Sequence, residues 1–471
     1  MKKLIKNGTI ITADEIKVAD ILIEDEKIIQ VSPAINENNA EVINAEGKLV
    51  MPGGVDAHVH LDLPMFNTVS SDDHYTGGKA AAFGGTTTMI DFISHDSGSL
   101  KDNFSKLNDK ATSRAGIDYA FHMNITHFNE SVARQLEHLP EDGITSIKVF
   151  TAYNDRLRLD DQSIDQVMHI AFKNGILTML HAEDGDQIEI LVDQAVSQGH
   201  HEPYWHALTR PASGAVDAFQ RIIKLSARNN SPLYLVHMNV AGEADNLVLA
   251  REQGLKVMGE TCPQYLFFNE KDLQRPDGAK WICSPPMRHV EDNQRLMQAL
   301  SNNEIQVIAT DHCPFFFDGR KPIIYEGQPI AIPGKELGKD DFTKIPNGLP
   351  GIADRMPVMW SFGVEKGLLT PNQFVKMMCT NPARIFGLYP RKGTIQVGSD
   401  ADIAIWDPDR IVNYGVQTAH HRTDYNLYEG WELKGYPETV LLRGQVIVDH
   451  NEWFGKPGMG QYLKCAQGEI I

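Results

Sequence analysis

Short apolar runs separated by turn residues occupy both ends of the chain. In the first fifty residues, apolar and polar positions alternate in a way that predicts strands at 4–11, 19–23, 28–31 and 41–43. The tail repeats this pattern, with predicted strands at 394–397, 402–406, 439–442 and 445–448. Two all-β ends pair most simply with each other. We therefore predict a small β-sandwich domain formed by both termini, residues 1–50 plus 391–471.

The middle of the chain, residues 51–390, alternates strand-like apolar runs with helical patterns, which is typical of βαβ units in an α/β protein. Eight such runs lie at 50–60, 86–93, 118–126, 146–153, 176–181, 233–237, 256–260 and 306–311. They predict a TIM (β/α)8 barrel, whose active site is built at the carboxyl ends of the strands. The segment 315–344, rich in proline and glycine, is predicted to be a long functional loop.

Composition narrows the class of protein. The chain has 471 residues, is 42% hydrophobic and 23% charged, and carries a net charge of −18. No apolar stretch approaches the roughly 20 residues of a membrane helix, and no apolar segment follows the charged N-terminus, so we expect a cytoplasmic protein with no membrane partner. The negative charge argues against nucleic acid. Five scattered cysteines fit reduced thiols, and we expect Cys313 to be a packing residue near the site.

Candidate metal ligands lie at the ends of the predicted barrel strands. His58 and His60 are two positions apart on one strand, so both face the same way and can grip one metal ion. Taken alone, a pair at this spacing is equally typical of ordinary surface or core histidines that bind no metal. Lys148, His181 and His237 end later strands. Asp311 ends the last one.

Lys148 raises a separate chemical question. Two divalent ions side by side need a bridging anion, and an ammonium group cannot ligate a cation. A lysine carboxylated by carbon dioxide is a carbamate, whose two oxygens can span both ions. From its position alone, Lys148 also fits a salt bridge at a strand end.

The ligands stand among longer motifs. These are PGGVD at 52–56, GGTTT at 84–88, GITSIKVF at 143–150, GETCPQYL at 259–266, SPP at 284–286, IPNG at 345–348 and KGTI at 392–395. With the ligand order, they make the chain resemble, nearly end to end, the cyclic amidohydrolases of the amidohydrolase superfamily. The resemblance is strongest to D-hydantoinases and dihydropyrimidinases.

The resemblance implies an enzyme that hydrolytically opens 5-substituted hydantoins or dihydropyrimidines to N-carbamoyl amino acids. It implies two divalent ions per subunit, zinc or else manganese or cobalt, bridged by a hydroxide and by Lys148 as N6-carboxylysine. His58, His60 and Asp311 would bind one ion, and His181 and His237 the other. Asp311 would also be the catalytic proton carrier. The implied substrate-binding residues are Tyr153, Ser284 and Asn347. A homotetramer acting on a small cyclic amide is expected.

The residues expected around the pocket distinguish this activity from related ones. Dihydroorotases typically carry an arginine two residues after the histidine pair, where this chain has Asp62, and that carboxylate would repel a carboxylate substrate. Allantoinases share the metal set, and dihydropyrimidinase-related scaffold proteins lack a complete one. Leu63, Met65, Phe66 and Leu157 predict an apolar site for the ring substituent. Arg156 could instead recognise a polar or anionic group.

Overall fold

The computed structural model describes residues 2–65, 67–96, 98–154 and 156–471. Its centre is a parallel sheet of eight strands, each hydrogen-bonded to the next in chain order. The strands are Gly54–Val59, Thr86–Ile93, Asp118–Asn124, Ser146–Phe150, Leu177–His181, Leu233–Met238, Val257–Thr261 and Val307–Ile308. The sheet closes on itself, because the His60 amide donates to the carbonyl of His312 at 2.7 Å just beyond the eighth strand. The predicted TIM barrel is confirmed.

The barrel strands are buried along nearly their whole length because both faces are covered. Every residue of Thr86–Ile93 is buried, for example, as expected for a parallel strand between a packed interior and an outer layer of helices. Some outer helices bury one stripe only. In Asp161–Lys173 the buried positions are Ile164, Val167, Met168 and Ala171, a spacing that lines up on one helical face.

The helices fall into three types. The α-helices are Thr76–Phe83, Leu100–Thr112, Glu130–Leu136, Asp161–Lys173, Gly185–Ser197, Trp205–Leu208, Ala212–Asn229, Ala241–Glu252, Gln264–Phe267, Val290–Ser301, Arg355–Met359, Pro371–Val375, Asn381–Ile385 and Val416–Ala419. The 3-10 helices are Leu139–Asp142, Glu270–Gln274, Gly278–Trp281, Lys335–Gly338 and Phe342–Lys344, and two π-helical segments are Trp360–Val364 and Lys376–Thr380. No helix among the described residues is both long enough and apolar enough to cross a membrane.

The two ends of the chain share a second, nine-stranded sheet. Its strands are Lys2–Ile11, Ile16–Glu24, Lys27–Ser32, Glu41–Asn44, Leu49–Pro52, Ile403–Asn413, Glu432–Leu442, Gln445–Asp449 and Glu452–Trp453. The termini meet where Leu49–Pro52 pairs with Lys2–Ile11 on one side and with Ile403–Asn413 on the other. The predicted joint domain is confirmed, while its boundaries near residues 50 and 390 remain predictions.

One predicted strand of this domain is wrong. Residues 394–397 form bends and a turn, because they lie between Gly393 and Gly398, whose φ angles of 78° and 94° reverse the chain on both sides. The Gly398 amide donates to the carbonyl of Ile28 at 2.8 Å. The segment is thus a connection that covers an edge of the sheet.

A buried ion cluster joins the two sheets. The Lys392 ammonium lies 2.6 Å from Asp118 of the third barrel strand, 3.0 Å from Asp400 and 2.7 Å from Asp402. Burial lowers the pKa of Lys392, but the three carboxylates outweigh it and raise that pKa above its usual value. The three aspartates are close enough together to hold a metal ion. The lysine is already placed among them, so we interpret the cluster as structural.

Two short hairpins lie on the side of the barrel where its strands end. One pairs Pro64–Met65 with Thr68–Val69, just after the histidine pair. The other pairs Ile323–Tyr325 with Gln328–Ile330 inside the predicted loop 315–344. That loop therefore contains regular structure, including the 3-10 helices Lys335–Gly338 and Phe342–Lys344.

Candidate metal centre

A cavity of about 580 Å³ opens at the carboxyl ends of the barrel strands. Of the nine residues that the sequence marks as a site, eight line it: His60, Lys148, Tyr153, His181, His237, Ser284, Asp311 and Asn347. His58 lies behind them and is fully buried. The structure therefore brings together side chains from four different strands and from the loops that follow the first, fourth, seventh and eighth.

The first group of candidate ligands is His58, His60 and Asp311. Asp311 Oδ1 lies 3.2 Å from His58 Nε2 and 3.1 Å from His60 Nε2, and one ligand atom from each residue lies within 4.8 Å of the others. Burial raises the pKa of Asp311, but its interactions with His58, His60 and Lys148 outweigh that effect and lower the pKa to about 2. Burial lowers the pKa of His58 well below its usual value. An ionised carboxylate and a neutral imidazole are the forms that bind metal.

The second group is His181 and His237. His181 Nδ1 lies 2.9 Å from His237 Nε2, and burial holds the pKa of His237 well below its usual value. The His58 and His237 rings are 5.5 Å apart between centroids. The two groups are therefore close enough for two ions to sit side by side.

Lys148 lies between the two groups. Its Nζ is 3.0 Å from His58 Nε2 and 4.4 Å from the centre of the Phe92 ring. Within the described chain no carboxylate forms an ion pair with it, so the described contacts give no support to the salt-bridge interpretation. Burial, only partly offset by the charges of Asp311 and Glu260, lowers the pKa of Lys148 to about 8. The neutral amine, which is the form that reacts with carbon dioxide, is thus more accessible than in an exposed lysine.

Glu260 is a site residue that the sequence reasoning missed. It is fully buried at the end of the seventh barrel strand and contacts His58 Nδ1. Its other oxygen accepts from the Tyr234 hydroxyl at 2.9 Å. Burial raises the pKa of Glu260 to about 8. A glutamate within a buried strand is rarely without a partner. Its presence at position 260 of a predicted barrel strand was therefore the sequence signal that could have identified it.

Glu183 has a matching position in the second group. Its Oε2 lies 2.8 Å from His181 Nε2, on the opposite side of that ring from His237. Carboxylates that bond the far nitrogen of a ligating histidine fix its tautomer and orientation. Glu183 and Glu260 therefore each hold one imidazole of the centre.

Three candidate residues adopt backbone conformations that side chains other than glycine rarely take. The φ angles are 67° at Tyr153, 39° at His237 and 53° at Asp311. Each such conformation costs on the order of 1–3 kcal/mol and persists only where the surrounding structure enforces it. At these positions it turns the side chain at the strand end towards the cavity.

The side of the cavity that faces the loops carries hydrogen-bonding groups. Asn347 Nδ2 donates to Ser284 Oγ at 3.1 Å. The Tyr153 ring lies 5.1 Å from that of His181, and burial raises the pKa of its hydroxyl, so the hydroxyl remains a donor. His206 and Arg210, which the sequence reasoning did not select, also line this region.

The mouth of the cavity combines apolar and charged side chains. Leu63, Met65 and Leu157 line it as predicted, and Arg156 lines it too. Phe66, the fourth predicted apolar residue, lies outside the described residues. Asp62 does not belong to the described lining and instead pairs with Lys110 at 2.8 Å. The expected repulsion of a carboxylate substrate by Asp62 therefore has no geometric basis here.

Comparison with known proteins places the chain in a family. The amidohydrolase family profile matches residues 49–447. A D-hydantoinase from Geobacillus stearothermophilus is 45% identical, covering 99% of this chain and 97% of its own length. A D-hydantoinase from Rhizobium radiobacter is 41% identical over 98% of this chain and 99% of its own length. The crystal structure of a dihydropyrimidinase from Brevibacillus agri NCHU1002 covers both chains completely, with 42% identity and a TM-score of 0.95. The chain therefore belongs to the amidohydrolase family, in the group that contains D-hydantoinases and dihydropyrimidinases.

Proposed function

We propose that this protein hydrolyses cyclic amides and opens 5-substituted hydantoins or dihydropyrimidines to N-carbamoyl amino acids. The observation that carries the proposal is the convergence of four histidines, Lys148 and Asp311 on one cavity. The D-hydantoinase relatives at 41–45% identity over nearly the full chain support it. A complete ligand set also argues against a non-catalytic scaffold.

Two divalent ions fit the residues present. His58, His60 and Asp311 would hold one ion and His181 and His237 the other, with Lys148 as a carbamate between them. Nitrogen atoms of the His181 and His237 rings face each other at 2.9 Å, an arrangement that a bound cation would complete. We propose zinc, with manganese or cobalt as alternatives. When bound, the ions would supply positive charge that acidifies a water molecule and polarises the amide carbonyl.

The chain's own groups account for proton movement and orientation. Asp311 would accept the proton of the attacking water and deliver it to the leaving ring nitrogen. The Tyr153 hydroxyl, which remains protonated, would donate a hydrogen bond to the oxygen that gains negative charge. Ser284 and Asn347, already bonded to each other, would hold the amide edge of the ring through neighbouring backbone groups.

The ring substituent would point towards the mouth of the cavity. Leu63, Met65 and Leu157 offer apolar surface there, which suits an alkyl or aryl group better than the ureido group of allantoin or the carboxylate of dihydroorotate. We therefore expect 5-monosubstituted hydantoins or dihydrouracil to be the best substrates. We expect the D form of the hydantoins to be preferred.

The test is a panel of hydantoin, 5-phenylhydantoin, dihydrouracil, allantoin and dihydroorotate, compared by kcat/KM on the metal-loaded enzyme. Arg156→Ala should change the ranking little, and Arg158→Ala is its matched control, because Arg158 is engaged with Asp186 at 2.8 Å. The apolar-mouth assignment is wrong if allantoin or dihydroorotate ranks first and Arg156→Ala alone removes that advantage.

The expected assembly and location also remain proposals. A homotetramer follows from the family resemblance, and sedimentation or light scattering of the purified protein would measure it directly. The cytoplasm is proposed from composition.

A further inference from the structure

Lys335 is a buried lysine that the proposed mechanism does not use. It begins the short 3-10 helix Lys335–Gly338 in the loop after the eighth barrel strand, and its residue is only 1% exposed. Its Nζ donates to the backbone carbonyl of Ile282 at 2.9 Å and to that of Pro346 at 3.1 Å. One ammonium group thus connects two segments that are far apart in the chain.

Those two segments carry the residues proposed to bind the substrate amide. Ile282 lies two residues before Ser284, and Pro346 lies directly before Asn347. The segments also contact each other, because the Gly348 amide donates to the Ile282 carbonyl at 3.1 Å. Lys335 therefore adds two bonds at the point where the facing segments meet, next to the Ser284–Asn347 hydrogen bond.

The backbone that presents Lys335 is itself fixed. The Lys335 amide donates to the Phe316 carbonyl at 2.7 Å, and Glu336 accepts from the amides of Gly319 and Gly334 at 3.0 Å. At Gly334, an added Cβ would lie 1.9 Å from the Phe316 carbonyl oxygen, so the chain passes too closely for any side chain. The ammonium is therefore presented from a rigid base.

Burying this lysine side chain is costly, and its two hydrogen bonds to carbonyl groups are what the burial provides. Among the described residues no carboxylate forms an ion pair with Lys335, and burial lowers its pKa to about 7. An apolar side chain of the same length would fill the space without that desolvation penalty. What an apolar side chain cannot do is hold two carbonyl groups at a defined separation.

We propose that Lys335 is a positioning residue that sets the spacing of the Ser284 and Asn347 segments for the substrate amide. The inference rests on the proposed function, because it takes those segments as the substrate clamp. It assigns the loop after the eighth strand a specific part in substrate binding, without contact between Lys335 and the reacting atoms.

The first test is kinetic. Lys335→Met keeps the length of the side chain and removes both hydrogen bonds, and Lys339→Met is the matched control, because Lys339 is exposed in the same loop. We expect KM for the best hydantoin to rise by at least about tenfold while kcat changes by less than about threefold, the signature of lost ground-state and transition-state binding. Bound metal should be unchanged, and Lys339→Met should match the wild type. Lys335→Gln, which retains N–H donors, should give an intermediate KM.

The second test does not depend on activity. Hydrogen exchange should speed up in peptides covering 282–285 and 346–349 of Lys335→Met and remain as in the wild type in Lys339→Met. Unchanged exchange there, or kcat and metal content falling together at constant KM, overturns the positioning role. If Lys335→Met does not fold, Lys335→Gln must show the same changes in KM and hydrogen exchange to a smaller degree. A Lys335→Gln variant that matches the wild type in both measurements would overturn the positioning role. A wild type without hydantoin hydrolysis would overturn the proposed function, while the exchange result still decides the spacing role.

Discussion

Replacing Glu260 by glutamine tests whether this side chain prepares His58 to bind a metal ion. The substitution keeps the shape of the side chain. It also keeps an oxygen that can accept from the His237 amide, which donates to Glu260 at 3.3 Å. It removes an acidic group beside His58 Nδ1, which burial keeps largely protonated near neutral pH until a bound cation favours its ionised form. The Tyr234 hydroxyl, 2.9 Å away, can accept from the new amide instead of donating. The change is therefore largely electrostatic.

The magnitude follows from the role of such carboxylates. Loss of the group that orients a ligating histidine typically weakens metal binding by about 10- to 100-fold, which corresponds to about 1.4–2.7 kcal/mol. Because Glu260 contacts His58 itself, the loss should fall mainly on the ion held with His60 and Asp311. Activity at saturating zinc should recover much more than activity at limiting zinc.

The assay is zinc competition against a chromophoric chelator, with total metal counted by mass spectrometry. Glu243→Gln is the matched control, because Glu243 is an equally buried glutamate that accepts from the backbone amides of Asn239 at 2.9 Å and Val240 at 3.1 Å. Zinc affinity of Glu260→Gln within about twofold of the wild type, or an equal loss in Glu243→Gln, would refute the reasoning.

Three further substitutions test other parts of the molecule. Lys148→Ala should remove activity and most of the bound metal, and full metal content in this variant would exclude the carbamate bridge. Asp311→Asn keeps a ligand oxygen but no base, so turnover should fall by at least about a hundredfold with both ions retained; near-normal turnover would assign proton transfer to another group. Lys392→Met removes the described ion pair of the buried Asp402, whereas Asp118 keeps Arg443 and Asp400 keeps Lys27 and Arg391, so denaturant unfolding should show a loss of about 3–5 kcal/mol. A change below about 1 kcal/mol would mean that the cluster is compensated elsewhere.

Local patterns predicted the architecture because they reflect local geometry. Runs rich in β-branched and apolar residues, such as Thr86–Ile93, are buried on both faces in a parallel barrel, so composition alone marks them as strands. The error at 394–397 has a local cause as well, because its sequence is strand-like and only the left-handed glycines at both ends show that it turns. The small domain required a tertiary step, since Leu49–Pro52 pairs with a strand about 350 residues later.

The sequence by itself determined the strand ends, the shared face of His58 and His60, and the family motifs, because these depend on spacing along one strand. The tertiary structure decided which groups hold those ligands. Glu260 reaches His58 across 202 positions of sequence, and Lys335 reaches Ile282 across 53. Neither contact leaves a periodic signal, since a buried polar group selects its partner by position in space. The same physical reason separates two buried lysines: Lys148 lies between two histidine groups and has no ion pair with any described residue, whereas Lys392 is enclosed by three aspartates.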